Sequence, residues 1–332
     1  MQGQRVVFTA KDQVEIQAFD IQPPKSGEIL IRTQATLISP GTEGASLLAL
    51  PNTSQTFPRG VGYSHVGIVE EVGPDVTDLS PGDRIASHAP HASHATTSAK
   101  RVEKIPETLS SAHATFAPLS AIAMQAVRKS RVELGESVLV LGQGIVGNLA
   151  LQLARLQGGY PVIGADLDEH RLEFARVVGA DHTIRVDQQN LTEATQEQTG
   201  KDGADVVIEA TGAPEPIVSA IQAAAWCRRV VLLASTRGET ESLNFYRDVH
   251  KRGLTIIGAH NSVRPTSDQT PGFWPLSKDI GLSLTLMAAH RLQVAPLITT
   301  HLPGNEAAEA FRLVTEKRRE ALGIILDWRE AF

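Results

Sequence analysis

Hydrophobic and polar positions follow two regimes along this chain, and the change comes near residue 118. Up to about residue 117 the apolar residues form short, broadly alternating runs bounded by Gly, Pro and Ser, the pattern of strands joined by loops. The stretch from Glu28 to Ser39 is one such run, closed by Pro40-Gly41. A loop rich in Pro, Ser and Thr covers Leu50 to Gly60, and Gly62 to Gly73 reads as the next strand. Pro81-Gly82-Asp83 is a turn ahead of a strand over 84–88. Beyond residue 118, strand-length apolar runs alternate with helix-length amphipathic ones, which is the pattern of βαβ units around a parallel sheet. Strands are predicted at 138–142, 161–166, 182–186, 204–211, 229–235 and 254–260. Six of them complete a doubly wound sheet. The closing segments, a helix near 277–290 and an αβ piece ending in Leu322–Trp328, are therefore expected to return to the first domain. The predicted class is α/β, a doubly wound parallel sheet plus a β-rich substrate domain, divided as 1–117, 118–260 and 261–332.

The first strand of the second regime ends in Gly142-Gln143-Gly144-Ile145-Val146-Gly147, the G-x-G-x-x-G spacing, and a helix follows in which Val146, Leu149, Leu153 and Leu156 share one face. Gly142 permits a tight turn, Gly144 lets the backbone approach a pyrophosphate, and Gly147 lets helix and strand pack closely. Phosphates would sit on the free N–H groups and positive dipole end of the helix. Gly158-Gly159 stops the helix, and the strand after it ends in Asp166, placed to accept hydrogen bonds from the adenosine ribose hydroxyls. Strand, helix, strand and acid together predict a Rossmann dinucleotide site. Its crevice lies at the carboxyl ends of the strands, where Thr211, Gly212, Ala234, Ser235 and His260 also fall. NAD is the expected cofactor, because Asp166 would oppose a 2′-phosphate and Asp168 and Glu169 add negative charge. The nearest cation, Arg171, completes the predicted set.

Composition narrows the alternatives. The chain has 332 residues, enough for two domains, and its 42% hydrophobic and 20% charged residues are ordinary for a globular protein. A net charge of -6 provides no basic footprint for nucleic acid or an acidic membrane surface. No run of apolar residues is long enough to span a bilayer, and Met1-Gln-Gly-Gln-Arg lacks an apolar signal core. The one cysteine, Cys227, cannot form an internal disulfide, so a cytoplasmic location is expected. Cys227 itself is expected to pack at a helix end. Gly-x-Ser-x-Gly is absent, and no Ser/His/Asp nucleophile arrangement stands out.

Several stretches in order, Gly41-Thr-Glu43, Gly67-Ile-Val-Glu-Glu-Val-Gly73, Pro81-Gly-Asp-Arg84, Gly142 to Gly147, Gly179-Ala-Asp181 and Glu209-Ala-Thr-Gly212, resemble the medium-chain dehydrogenase/reductase superfamily over almost the whole chain. Ser39-Pro-Gly-Thr-Glu43 and Gly62-Tyr-Ser64 look most like the branch with bacteriochlorophyllide a dehydrogenase and sorbitol-dehydrogenase-like proteins. The resemblance implies a GroES-like first domain and nicotinamide-dependent oxidoreduction at a CH–OH group. It also exposes a departure. Where zinc-dependent members carry metal ligands this chain has Pro40, Tyr63 and Ala117, so no catalytic zinc is expected, and one cysteine cannot build a four-cysteine lobe. Thr42 matches the hydroxyl that relays a proton in those relatives. Tyr63 and His65, two apart on a predicted strand, would face the same way as a polarising and proton-moving pair; the alternative is a core Tyr and His satisfied by backbone partners. Glu43 would orient a neighbour or the nicotinamide ribose, or form a plain salt bridge. Backbone contacts to the carboxamide are implied near His260. His88, His91 and His94 lack the acid or Cys partner a metal site needs and read as loop histidines, or as one lining the substrate site. The expected protein is a zinc-independent, NAD-dependent dehydrogenase for a secondary alcohol such as a sugar, polyol or cyclitol, forming a homodimer through its last sheet strand. An enone or quinone reductase and a non-catalytic dinucleotide-binding protein are the alternatives.

Overall fold

The computed structural model describes residues 2–265, 270, 273–317 and 321–329. Two compact units divide the chain, Met1–Leu119 with Ile280–Phe332 and Ser120–Asp279.

The first unit opens with β1 (Gln2–Ala10), β2 (Gln13–Asp20), β3 (Glu28–Ile38), α1 (Pro40–Leu47), β4 (Arg59–Gly60), β5 (His65–Val72), β6 (Arg84–Ser87), β7 (His94–Ser98), β8 (Glu103–Lys104) and the single turn α2 (Ser111–Ala114). β1 pairs antiparallel with β2 and β4 in a small sheet. β3 runs through a larger sheet beside β5 and β7, with β6 beyond β5. Ile29, Ile31, Val69, Leu79 and Ile85 close one core of this unit. Two local features depart from the pattern reading. Pro40-Gly-Thr-Glu43, expected as the turn that closes a strand, starts helix α1, with Ser39 as N-cap and Pro40 in the first turn, where its fixed φ suits a helix. β5 begins only at His65, because Gly62 has φ +102° and breaks the extended run before Tyr63.

The second unit holds α3 (Ala117–Ser130), β9 (Val138–Leu141), α4 (Ile145–Leu156), β10 (Val162–Asp166), α5 (Glu169–Val177), β11 (His182–Arg185), α6 (Leu191–Thr199), β12 (Ala204–Glu209), α7 (Glu215–Ala223), β13 (Ala224–Leu232), a π-helical turn at Phe245–His250 and β14 (Thr255–Gly258). The strands form one parallel sheet in the order β11-β10-β9-β12-β13-β14. β9, β10 and β12 are buried throughout, as both-face coverage by helices demands. α4 is buried on most of its circumference, so the expected stripe is only part of its contact surface. Val146 and Leu156 are partly exposed, while Ile145, Leu149, Ala150, Leu151, Leu153 and Ala154 are all covered. Cys227 does not pack at a helix end. It lies exposed within β13 at φ +60°, where the pairing with β12 slips register and its N–H turns to Arg252 O.

The expected division at residue 261 is corrected to 280. Asp279, fully buried, binds the guanidinium groups of Arg128 at 2.9 Å and Arg264 at 2.6 Å, and Arg128 lies over the Trp274 ring at 3.6 Å. Arg264 also donates to Ala121 O. These bonds hold the segment leading to Asp279 within the second unit. After α8 (Leu276–Ala288), the remaining β15 (Ile298–Pro303), α9 (Ala307–Glu316) and β16 (Gly323–Asp327) belong to the first unit. β16 pairs antiparallel with β3, β15 lies parallel to β16, and α9 sets Phe311 edge-on against Phe8 with ring centres 4.9 Å apart. Among the described residues no helix is long and apolar enough to cross a membrane.

Candidate active site

In the second unit the Gly-rich turn is shaped by close approach. A Cβ on Gly147 would lie 1.8 Å from Gly142 O, and one on Gly142, at φ +95°, would lie 2.9 Å from Thr211 N. A Cβ on Gly144 would meet nothing within 4 Å. Gly144 is also the N-cap of α4 without a side-chain cap, and an uncapped helix start is the arrangement that receives a pyrophosphate. Side chains lock this turn. Gln143 Nε2 donates to Val140 O at 2.7 Å, and Asn148 Nδ2 donates to Gln143 O at 2.7 Å. Asp166 accepts the Gln143 N–H at 2.6 Å on one oxygen and the Asp168 N–H at 3.0 Å on the other, with Arg171 Nη1 4.0 Å away.

Across the sheet, Glu209 Oε1 accepts the Thr211 N–H at 2.7 Å and also the Thr211 hydroxyl. Burial pushes the Glu209 carboxyl above the usual range, against the donors at Thr211 and Gly212. The Glu209 carbonyl accepts the Ala234 N–H, and a Cβ on Gly212 would stand 3.4 Å from Ser235 O. The predicted set of Gly142 to Gly147, Asp166, Arg171, Thr211, Gly212, Ala234 and Ser235 is thus linked residue to residue. Ile145 and Val146 open α4 itself. His260 lies two residues past β14, exposed, with its ring on Ser262 and its carbonyl accepting Gln125 Nε2 at 2.7 Å.

In the first unit the start of α1 gathers the polar side chains. Ser39 Oγ accepts the Tyr63 hydroxyl at 2.7 Å. The Tyr63 ring stacks on His88, 6.0 Å between centres and 11° between planes. Glu43, buried near the N-terminus of α1 where the dipole favours a negative group, accepts the Ser39 N–H at 2.8 Å. Its second oxygen pairs with His91 Nε2 at 2.7 Å. Thr42 is exposed on the same helix.

The expected Tyr63–His65 pair does not form. His65 is fully buried, with Nε2 bonded to Thr33 Oγ1 and Nδ1 to Ser87 Oγ, both at 2.9 Å. Burial, helped by the neighbouring His91, pushes its pKa down to about 3. The ring pins three strands together and is not placed to move protons. The positional reason is Gly62: Tyr63 precedes the strand, so the two-residue alternation does not apply to it.

The positions that the resemblance matches to zinc ligands are Pro40, Tyr63 and Ala117. Pro40 offers no donor and Ala117 none, while Tyr63 is hydrogen-bonded to Ser39. His88, His91 and His94 turn to three different partners, namely Tyr63, Glu43 and Ser93 with Glu70. Among the described residues no group of three or more His, Cys, Asp or Glu could hold a metal ion. This donor set does not fit the metal. A nicotinamide dinucleotide does fit the Gly-rich turn, through the space over Gly144 and the uncapped start of α4.

Sequence reasoning missed Ser39, Glu209 and the stacking role of His88. Ser39 had a readable signal, since Ser before Pro is the N-cap and first-turn signature of a helix. The His88 stacking depends on a contact between separate segments, whereas Glu209 bonds Thr211 within the Glu209–Gly212 stretch itself.

Two family models match the chain, an alcohol dehydrogenase GroES-like domain over residues 25–128 and a zinc-binding dehydrogenase over residues 146–278. The chain is 29% identical over 257 residues to D-guloside 3-dehydrogenase of Escherichia coli (strain K12), covering 74% of this chain and 73% of that one. It is 25% identical over 360 residues to sorbitol dehydrogenase of Homo sapiens, covering 97% and 94%. A crystal structure from Sinorhizobium meliloti 1021 bound to NADP superposes with a TM-score of 0.84 at 22% identity, over 98% of this chain and 99% of that one.

Proposed function

We propose, for a chain that belongs to the medium-chain dehydrogenase/reductase superfamily, that this oxidoreductase interconverts a secondary alcohol and its ketone without zinc, using NAD. The observation that carries this reading is the Tyr63–Ser39 hydrogen bond, made by the residue that the resemblance matches to a zinc-binding His. When bound, the nicotinamide supplies the hydride acceptor or donor. The chain's own residues do the rest. The Gly142–Gly147 turn and the start of α4 hold the pyrophosphate, and Asp166 holds the adenosine ribose hydroxyls. In the direction of carbonyl reduction, Tyr63 Oη donates its proton to the substrate oxygen, stabilising the charge that develops there, while Ser39 Oγ turns its hydrogen toward the phenolate that is left and water restores the phenol proton. Alcohol oxidation runs the same proton path in reverse.

The Tyr63 phenol, the Ser39 hydroxyl bonded to it and the His88 ring stacked on it offer polar groups that suit a substrate carrying further hydroxyls. A sugar, polyol or cyclitol is the proposed class, and the names of the guloside and sorbitol dehydrogenases support it. Selection of NAD over NADP follows from the Asp166 carboxylate, which would oppose a 2′-phosphate; the NADP-bound structure shares the fold at an identity too low to decide this point. The outer edge of β14 is the surface proposed for pairing two copies.

The test is nicotinamide absorbance with NAD and a panel of secondary alcohols, run with and without chelator and paired with elemental analysis. Turnover that survives chelation, in protein without stoichiometric zinc, is expected. One zinc per chain with activity lost on chelation, or tighter binding of NADPH than NADH, would reject the corresponding part of the reading.

A further inference from the structure

His91 lies away from the surface of the first unit, yet it touches the segments on both sides of the proposed proton donor. Its ring is 0% exposed, and Nε2 meets Glu43 Oε2 at 2.7 Å. The other Glu43 oxygen holds the Ser39 N–H at 2.8 Å, and Ser39 Oγ takes the Tyr63 hydroxyl at 2.7 Å. Three hydrogen bonds therefore join His91 to the phenol. A second route runs through the backbone. His91 N–H donates to Val61 O at 2.8 Å, and Gly62 is cut away for the imidazole. A Cβ on Gly62 would lie 2.5 Å from His91 N and 2.8 Å from two ring atoms. Tyr63 is the next residue.

We infer that His91 is a positioning residue, acting through Glu43 and Ser39 to set the orientation of the Tyr63 hydroxyl; this rests on Tyr63 being the proton donor. The surroundings of the ring argue against simple packing. Phe311 lies edge-on at 6.1 Å between ring centres, within the apolar cluster of Phe8, Leu47 and Val61. An apolar side chain would fill such a place at lower cost, because His91 Nδ1 is buried with no hydrogen-bond partner among the described residues. A hydrogen on Nε2 leaves Nδ1 as a lone pair rather than an unmet donor, and directs the ring's one donor at Glu43. Without it Glu43 would be a buried carboxylate with a bare oxygen, free to release Ser39 and turn toward other donors.

The experiment combines His91→Phe, which keeps ring volume and removes the donor, with His91→Gln, which returns an N–H at similar reach. Each is made in the parent and in Tyr63→Phe. Steady-state kinetics, NADH binding and thermal unfolding are read for all, and the 13C-labelled Tyr63 ring signal for those that keep Tyr63. Expected for His91→Phe is a fall in kcat of about ten- to a hundredfold, the scale of an ångström-sized misplacement. KM and NADH affinity should stay within about twofold, the Tyr63 signal should move, and His91→Gln should recover most of the rate. In the Tyr63→Phe background His91→Phe should cost nothing more, since one route serves both residues. An equal added loss in that background, or a folded His91→Phe with parental kcat, overturns the inference. If His91→Phe does not fold, Glu43→Gln carries the same comparison, since an amide must present an N–H to either the Ser39 N–H or the His91 ring. If Tyr63→Phe alone is as active as the parent, the proposed function loses its donor. The ring signal then decides this inference separately: movement in His91→Phe keeps the positioning role, and an unmoved signal ends it.

Discussion

The nucleotide-binding turn and the Ser39–Tyr63 group solve the same problem, fixing a reactive geometry, by different means. The turn is made of backbone. Its shape follows from where Cβ atoms are forbidden, at Gly142 and Gly147, and from one place, Gly144, where space is left open. The Ser39–Tyr63 group is made of side chains brought from separate segments, and each is fixed by a partner it could not have met locally: Tyr63 by Ser39, Glu43 by His91. A backbone device is recorded in residue spacing. A device of paired side chains is recorded only in the folded chain, and one altered partner re-aims the rest.

Substitutions can break this contrast or sharpen it. The largest effect is expected from Tyr63→Phe, which should lower kcat by about 10²–10⁴-fold, the usual share of general acid–base catalysis, with NADH affinity unchanged. Parental turnover in a folded variant would remove the side-chain half of the contrast. Next in size, Gly147→Ala should weaken NADH binding by about a hundredfold, as the turn is forced off Gly142 at an overpacking cost of roughly 1–3 kcal/mol. Fluorescence titration of NADH measures it, and affinity within threefold of the parent would show that the turn rebuilds around the methyl.

The third effect is acid sensitivity at His65. Its pKa is depressed from the ordinary imidazole value near 6.5 to about 3. Above pH 6.5 the ring is neutral both folded and unfolded, so its contribution to stability is complete. As pH falls below 6.5 the unfolded chain binds a proton that the folded ring refuses until about pH 3. Stability should drop through that window by up to about 1.4 kcal/mol per pH unit, roughly tenfold in the unfolding constant. Urea unfolding at pH 7, 6, 5 and 4 should show this slope in the parent and a shallower one in His65→Gln. Equal slopes would mean the ring titrates normally and is available as a relay after all. The smallest effect is Gly144→Ala. The methyl has room in the free protein, so the melting temperature should not change, while NADH binding weakens a few-fold because the pyrophosphate must share that space. A melting shift as large as that of Gly147→Ala would erase the distinction between the two glycines.

The sheet and its turn were legible because they rest on periodic, local patterns. Each of the six parallel strands overlaps the apolar run expected to form it, although β13 starts at Ala224 rather than 229, and Asp166 lies at the end of the expected strand. Legibility failed where conformation hangs on one residue or one distant bond. Gly62 and its positive φ delayed β5, which separated Tyr63 from His65. The hydroxyls of Thr33 and Ser87 converted His65 from a candidate relay into a structural ring. Asp279 and its two arginines moved the unit boundary from 261 to 280, an ion-pair effect with no periodicity to betray it. At Ser39 the helix-start signal was present, and the strand reading around it hid the signal.

The pairing of β16 with β3 has a consequence for synthesis. On the ribosome β3 emerges early, and its β5-facing edge is soon satisfied. On the other edge β7 soon covers Glu28 to Arg32, while Ala35 to Ile38 wait for β16, which follows only after the second unit has been translated. Through that interval the end of β3, carrying buried Ile38, Leu37 and Thr36, offers open backbone N–H and C=O groups to whatever extended chain is near, including a neighbouring nascent copy. Arrival of β16 ends the exposure, and the Trp328 indole bonded to Thr36 Oγ1 at 3.0 Å acts as the latch. The last pairing partner of β3 thus closes on Ile38, the residue before Ser39, so the strand that ends this exposure also fixes the chain entering the proposed site.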